Sequence, residues 1–165
     1  MIKFIEVTIE DIPLLQRLAR EIWYAHYPSI ISLEQIAYML DWMYSSSTIT
    51  AELTEGYQWR IIQQDELPVG FLAYNFEKTQ LKVKLNKLYV LPAYHKQGIG
   101  QLALQYVIAQ VRQMNAQAVY LTVNKKNQSA ISAYLKAGFY IERSEVFDIG
   151  QGFYMDDYVM QYDLS

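Results

Sequence analysis

This 165-residue chain has no cysteine and only two histidines, His26 and His95. The first absence excludes disulfides, thiolate metal sites and a cysteine nucleophile. The scarcity of imidazole argues against a multi-histidine zinc centre, so no metal is expected. No stretch approaches the roughly 18 to 20 apolar residues of a membrane span, and the start lacks a secretory-signal pattern, so no membrane partner and a cytoplasmic location are expected. Basic side chains are not in excess: 14 Lys and Arg stand against 17 Asp and Glu, a net charge of −3. That balance implies no strongly basic face and hence no nucleic-acid partner held by its phosphates. It agrees better with a small cationic substrate. Repeats, low-complexity tracts and linkers are also missing, and the length is that of one domain spanning 1–165, enough for a real core. What the chain does have is apolar: 52% hydrophobic against 19% charged, with fifteen tyrosines.

The most informative stretch is Leu88-Tyr-Val-Leu-Pro-Ala-Tyr-His-Lys-Gln-Gly-Ile-Gly100. It reads as an apolar strand, a proline-marked loop, then glycines opening a helix-patterned run to Met114. Such a loop feeds free backbone N–H groups into one small space at a helix N-terminus, which suits anionic oxygen and phosphate above all. Gly98 and Gly100 remove the Cβ atoms that would hold a diphosphate off the backbone. A nucleotide P-loop is excluded, because Gln101 and Leu102 stand where Lys and Ser or Thr are required. A dinucleotide fingerprint could use Ala103 as its third small residue but lacks the acidic residue about 20 positions on. Locally, a plain strand-to-helix turn and a phosphate loop stand level.

Further along, a β-rich segment Val119-Tyr-Leu-Thr-Val123 leads into Asn127-Gln-Ser-Ala-Ile-Ser-Ala-Tyr-Leu-Lys-Ala-Gly-Phe139. Asn127 suits a helix N-cap and Gly138 a helix stop. Asn127, Ala130 and Tyr134 share one helix face at i, i+3 and i+7. Taken alone, these are a cap, a packing alanine and a half-buried tyrosine.

Together the two segments resemble the GNAT superfamily of acyl-CoA-dependent N-acetyltransferases. Its phosphate loop, Gln/Arg-x-x-Gly-x-Gly/Ala, is matched by residues 95–100 except that His95 takes the first position. Its later motif, Asn-x-x-Ala-x-x-x-Tyr-x-x-x-Gly-Phe, is matched throughout by Asn127, Ala130, Tyr134, Gly138 and Phe139. The resemblance covers Met1 to about Leu164 and is most specific in the centre.

The remaining pattern is compatible with that fold. A strand over 3–7 precedes a helix entered at Thr8 and Asp11, with Ile12, Leu15, Leu18, Ala19 and Ile22 at helical spacing. A capping box at Ser32–Gln35 opens a second helix bearing Ile36, Met39, Leu40 and Met43. Residues 57–63, 69–76 and 81–90 form an antiparallel meander, 98–114 the central helix and 118–123 the next strand. Residues 139–149 and 153–162 close the fold as two strands. The expected class is α/β (α+β mixed): a mixed, mostly antiparallel sheet with helices on both faces.

The resemblance implies acetyl-CoA as the cofactor and direct transfer of its acetyl group to an amine. Gln97, Gly98, Ile99, Gly100, Gln101 and Leu102 would hold the diphosphate, and backbone groups of Tyr89, Val90 and Leu91 would pair with the pantetheine arm like an added strand. One N–H there would polarise the thioester carbonyl. Asn127 and Ala130 would border the pantetheine, and Tyr134 would protonate the leaving thiolate. A base is harder to find. Asn86 and Thr122 stand where relatives carry glutamate and accept no proton at neutral pH, which leaves Glu77, His26 or ordered water. On the acceptor side, Asp156 and Asp157 point to opposite faces of a strand, so at most one meets the pocket. Asp156, with His26, Tyr27, Glu77 and Tyr154, is the candidate acceptor set, suited to a cation such as a polyamine. An edge strand guarded by charge is the competing reading of that run. A protein N-terminal or lysine acetyltransferase and a non-catalytic acyl-CoA sensor are the alternative functions. The apolar C-terminal strands offer a pairing surface for a homodimer.

Overall fold

A computed structural model describes residues 1–164. Strand β1 (Ile2–Glu6) is followed by helices α1 (Ile12–His26), α2 (Leu33–Met43) and α3 (Ser46–Thr54). The meander β2 (Gln58–Gln64), β3 (Leu67–Glu77) and β4 (Lys82–Val90) leads into α4 (Ile99–Arg112), β5 (Ala118–Asn124) and α5 (Gln128–Lys136). Strands β6 (Tyr140–Gly150) and β7 (Phe153–Asp163) complete one seven-stranded sheet in the order β1-β2-β3-β4-β5-β7-β6. Every neighbouring pair is antiparallel except β4 and β5.

Each face of the sheet has its own core. One packs Val107 and Val111 of α4 and Ile131 of α5 against Val83, Leu121 and Met160. The other packs Leu15, Leu18 and Ile22 of α1 and Ile36 of α2 against Trp59, Ile61 and Phe71. Each such fully buried aliphatic side chain stabilises the fold by roughly 2 kcal/mol.

Helix α1 is entered as its sequence predicts: the Thr8 N–H donates to Asp11 Oδ2 at 2.9 Å, and Pro13 lies in the first turn. Helix α2 starts at Ser32, whose side chain accepts from the Gln35 N–H. Helix α3 is an addition to the two expected N-terminal helices. Ser45 caps it by accepting from the Thr48 N–H, but only Ile49 of its own residues is buried, so it shows no amphipathic period to read.

Two backbone features position β4. Gly70 of β3 lies so close that a Cβ there would fall 2.2 Å from the Tyr89 carbonyl oxygen, which excludes every other residue. Tyr74 faces Leu85 while Ala73 faces Lys87, so Asn86 is an extra residue in β4. The resulting bulge turns Asn86 and Lys87 toward the same face and bends the strand. At the far edge, β6 carries Arg143 ion-paired with Glu142 and Glu145, charge that discourages edge-to-edge pairing. The run containing Asp156 and Asp157 is not an edge: β7 lies between β5 and β6. Among the described residues, no helix is long and apolar enough to cross a membrane.

Candidate active site

Strands β4 and β5 pair only where Lys82–Lys84 meet Ala118–Tyr120. Beyond that they splay, and the gap opens into a cleft of about 910 Å³, at the upper end of small-ligand sites. Bent β4 walls one side, residues 121–124 of β5 the other, and α4 and α5 begin at its mouth.

Register decides which β4 backbone groups face the gap. The Leu91 N–H donates to Val69 O (2.8 Å) and the Leu91 carbonyl accepts from Tyr94 N (2.9 Å), so Leu91 has no free group. Antiparallel alternation then gives Tyr89 to its partner Phe71 and turns Leu88 and Val90 outward. The expected trio is corrected accordingly: Val90 presents its N–H, Leu88 joins it, and Tyr89 contributes a side chain. The Val90 carbonyl takes a 2.7 Å bond from His95 Nε2, which therefore carries the ring proton. His95, the departure from the family loop, thus pins that loop to β4.

The glycine loop is built as its sequence suggests. Gly98 has φ +79, a left-handed conformation that favours glycine, and it caps α4. The first bond of α4 runs from Leu102 N to Gly98 O at 3.0 Å, so the N–H groups of Gly98, Ile99, Gly100 and Gln101 lie ahead of the helical ladder. A Cβ on Gly98 or Gly100 would meet no protein atom within 4 Å, and both residues line the cleft. This bare cradle at a helix N-terminus fits a diphosphate. Leu102 is excluded from it because its N–H is taken, and Gln97 is exposed outside the lining. The Gln101 side chain donates to Ala133 O (3.0 Å) and ties α4 to α5.

Helix α5 ends in a Schellman turn, Phe139 N to Tyr134 O and Gly138 N to Leu135 O, with Gly138 at φ +104. Its entry differs from expectation. The Asn127 side chain makes no cap bond; its Oδ1 accepts from His26 Nε2 at 2.9 Å, linking the end of α1 to the start of α5. Ala130 leaves room along this face, and Tyr134 reaches the cleft. Burial, reinforced by Tyr27, pushes the Tyr134 phenol well above its ordinary pKa, so it holds its proton at neutral pH. The Tyr27 hydroxyl bonds that of Tyr89 at 3.0 Å and is pushed up to about 12, chiefly by burial.

The acceptor side is walled by α1, α2 and the β6–β7 hairpin. Tyr38 of α2 donates to Ile149 O at 2.5 Å and Gln35 to Tyr154 O at 3.0 Å, fastening helix to hairpin. Trp23, His26, Tyr27 and Met39 line this arm. Lys87 reaches it from β4, with Nζ 5.0 Å from the Trp59 ring centroid, and burial lowers its pKa.

Three expected acceptor residues lie elsewhere. Glu77 accepts from the Tyr120 hydroxyl near the closed end, where β4 and β5 still pair, outside the lining. Tyr154 is 55% exposed and gives only its carbonyl. Asp156 points outward in an ion pair with Lys125 at 2.9 Å. Its neighbour Asp157 is the carboxylate that enters: fully buried, lining the cleft, with neither oxygen hydrogen-bonded. Burial first, and Asp156 second, raise its pKa from 3.8 to about 6. Strand alternation allows one of the two to face inward; the burial phase of β7, with Asp157 and Val159 inside, is what selects it.

Comparison with known proteins agrees with this fold. The profile of the acetyltransferase (GNAT) family matches residues 15–139. An uncharacterised N-acetyltransferase of Mycobacterium tuberculosis is 31% identical over 137 residues, 83% of this chain and 87% of that protein. A spermidine N(1)-acetyltransferase of Thermoplasma acidophilum is 28% identical over 153 residues, 87% of this chain and 91% of that protein. Among solved structures, the PaiA N-acetyltransferase of T. acidophilum in complex with coenzyme A superposes with a TM-score of 0.84 over 99% of both chains at 24% identity. A ribosomal-protein-alanine N-acetyltransferase from Brucella melitensis gives 0.70 over 99% of both at 19%, a likeness of fold.

Proposed function

We propose that this chain, which belongs to the acetyltransferase (GNAT) family and is an acetyl-CoA-dependent N-acetyltransferase, acetylates a primary amine of a small molecule in the cytoplasm. Acetyl-CoA supplies the thioester. The N–H groups of Gly98–Gln101 would hold its diphosphate, and the outward groups of Leu88 and Val90 its pantetheine arm. The Val90 N–H would stabilise negative charge on the carbonyl oxygen, and Tyr134 would protonate the departing sulfur.

The observation that carries the small-acceptor reading is the fastening of the acceptor arm. The α2–hairpin bonds and the His26–Asn127 bond tie its walls together around Trp23, Tyr27 and Met39, which favours a small acceptor over a polypeptide laid across it. A polyamine is the finer reading, supported by the spermidine acetyltransferase relative. Lys84 and Lys87 on the same wall set a limit on it, because each repels additional positive charge along the acceptor.

The test is thiol release from acetyl-CoA with spermidine, singly charged monoamines, aminoglycosides and peptides as acceptors. Release with small amines and not with peptides is expected. A preference for peptides would shift the assignment to a protein acetyltransferase. Tight CoA binding without release for any acceptor would make the chain an acyl-CoA sensor.

A further inference from the structure

Asp157 is the least explained group in the molecule. It belongs to β7, beyond the family-matched segment, in register with Asn124 of β5 on one side and Glu145 of β6 on the other. Its carboxylate is fully buried, yet both oxygens lack a hydrogen-bond partner. An unpaired buried carboxylate carries an uncompensated desolvation penalty and is rarely kept without a use. Within the same cleft stand Tyr27, Asn127 and the Tyr134 phenol.

We infer that Asp157 receives the acceptor's ammonium group and takes its proton. This rests on the acetyl-transfer reading and supplies the base that the β4 and β5 positions, Asn86 and Thr122, lack. The incoming amine brings the counter-charge and hydrogen bonds the carboxylate is missing, so binding relieves a penalty built into the free protein. Asp157 then takes one proton from nitrogen. The neutral amine forms the new C–N bond as the C–S bond breaks and the electron pair leaves on sulfur. Tyr134 gives sulfur its proton and regains one from the second N–H of the amine, while Asp157 releases its own to solvent. One proton is released per turnover.

The charged and titratable groups around Asp157 come from every packed element. Lys84 of β4 and Lys125 favour its ionised form, although Lys125 is shared with Asp156 in an ion pair. Asp156 opposes ionisation, as does burial, which is the largest influence. Glu145 is engaged by Arg143, and from α1 and the turn after it come His26 and Tyr27. The free enzyme should therefore lose kcat/KM as the pH falls below about 6.

The experiment compares wild type with Asp157→Asn, using the best small amine from the acceptor panel. Asn keeps the shape, so CoA affinity by calorimetry and the far-UV spectrum should be unchanged. The expected result is a loss of about a hundredfold or more in kcat/KM at pH 7. The variant should also lose the acid limb near pH 6, and its rate should climb with pH toward the acceptor's own pKa as free amine replaces the missing base. A variant with wild-type rates and an unchanged profile overturns the inference. So does a wild-type enzyme with no acid limb near pH 6, which decides the matter if the variant does not fold. A wild type inactive toward every amine would instead overturn the function on which the inference rests.

Discussion

The two walls of the cleft are made of different material. The proposed cofactor wall is backbone: the outward groups of Leu88 and Val90 and the N–H cluster ahead of α4. The proposed acceptor wall is side chain: Trp23, His26, Tyr27 and Met39 from the N-terminal helices, Lys87 from the bulged strand and Asp157 from β7. A wall of main-chain groups tolerates many side chains but demands glycine where a ligand approaches, so it writes a short motif. A wall of side chains from distant segments writes none. In the proposed reaction one would hold the thioester and the other would choose what receives its acetyl group.

Substitutions can break this contrast at either wall. The largest expected effect is that of Tyr134→Phe, which removes one oxygen between the walls. Turnover should fall by about a hundredfold to ten-thousandfold, with the CoA Kd within twofold of wild type. Single-turnover thiol release checks it, and unchanged turnover would remove Tyr134 from the chemistry.

At the cofactor wall, Gly100→Leu places its Cβ where no protein atom lies within 4 Å. The fold should be unaffected and the thermal midpoint should not fall. Losing two charge-assisted hydrogen bonds to the diphosphate should weaken CoA binding by about a hundredfold or more, read by calorimetry. An equally large loss of stability would show the loop to be a structural turn.

At the acceptor wall, Asp157→Asn should stabilise the protein. The native carboxyl has its pKa raised to about 6, above the unfolded value near 3.8, so the folded state holds the proton more tightly. The ionised group therefore destabilises the fold in full above pH 6, and the penalty disappears as the pH falls toward 4. The variant should gain up to ~2–3 kcal/mol at pH 7.5 and nothing near pH 4, measured by denaturant unfolding. Stability gained where activity is lost is the pattern of a functional site. The smallest effects belong to Glu77→Gln and Asp156→Asn, both outside the cleft, which should leave kcat/KM within about twofold.

Much of the fold was legible because its signals are periodic. The meander, the helix after Gly98 and the two closing strands repeat at the spacings that strands and helices require. Helix α3 was not, because Ser46–Thr54 is polar and contributes only Ile49 to the interior. The cofactor wall was legible in outline through its glycines, but which β4 groups are free depends on pairing with β3, as the capture of Leu91 by Val69 shows. The Asn127 side chain matched a helix cap locally and was claimed by His26, 101 residues away in sequence and adjacent in space. The choice of Asp157 over Asp156 follows from the phase of β7 against the sheet, a tertiary fact that adjacent aspartates do not reveal.

Where coenzyme A sits decides whether these two walls do what is proposed for them. A crystal structure of the protein with bound coenzyme A tests it most directly. The diphosphate should lie on the N–H groups of Gly98–Gln101, with the sulfur within about 3.5 Å of the Tyr134 hydroxyl on the side of the cleft facing Asp157. A sulfur remote from Tyr134, or a cofactor bound outside the gap between β4 and β5, would contradict it.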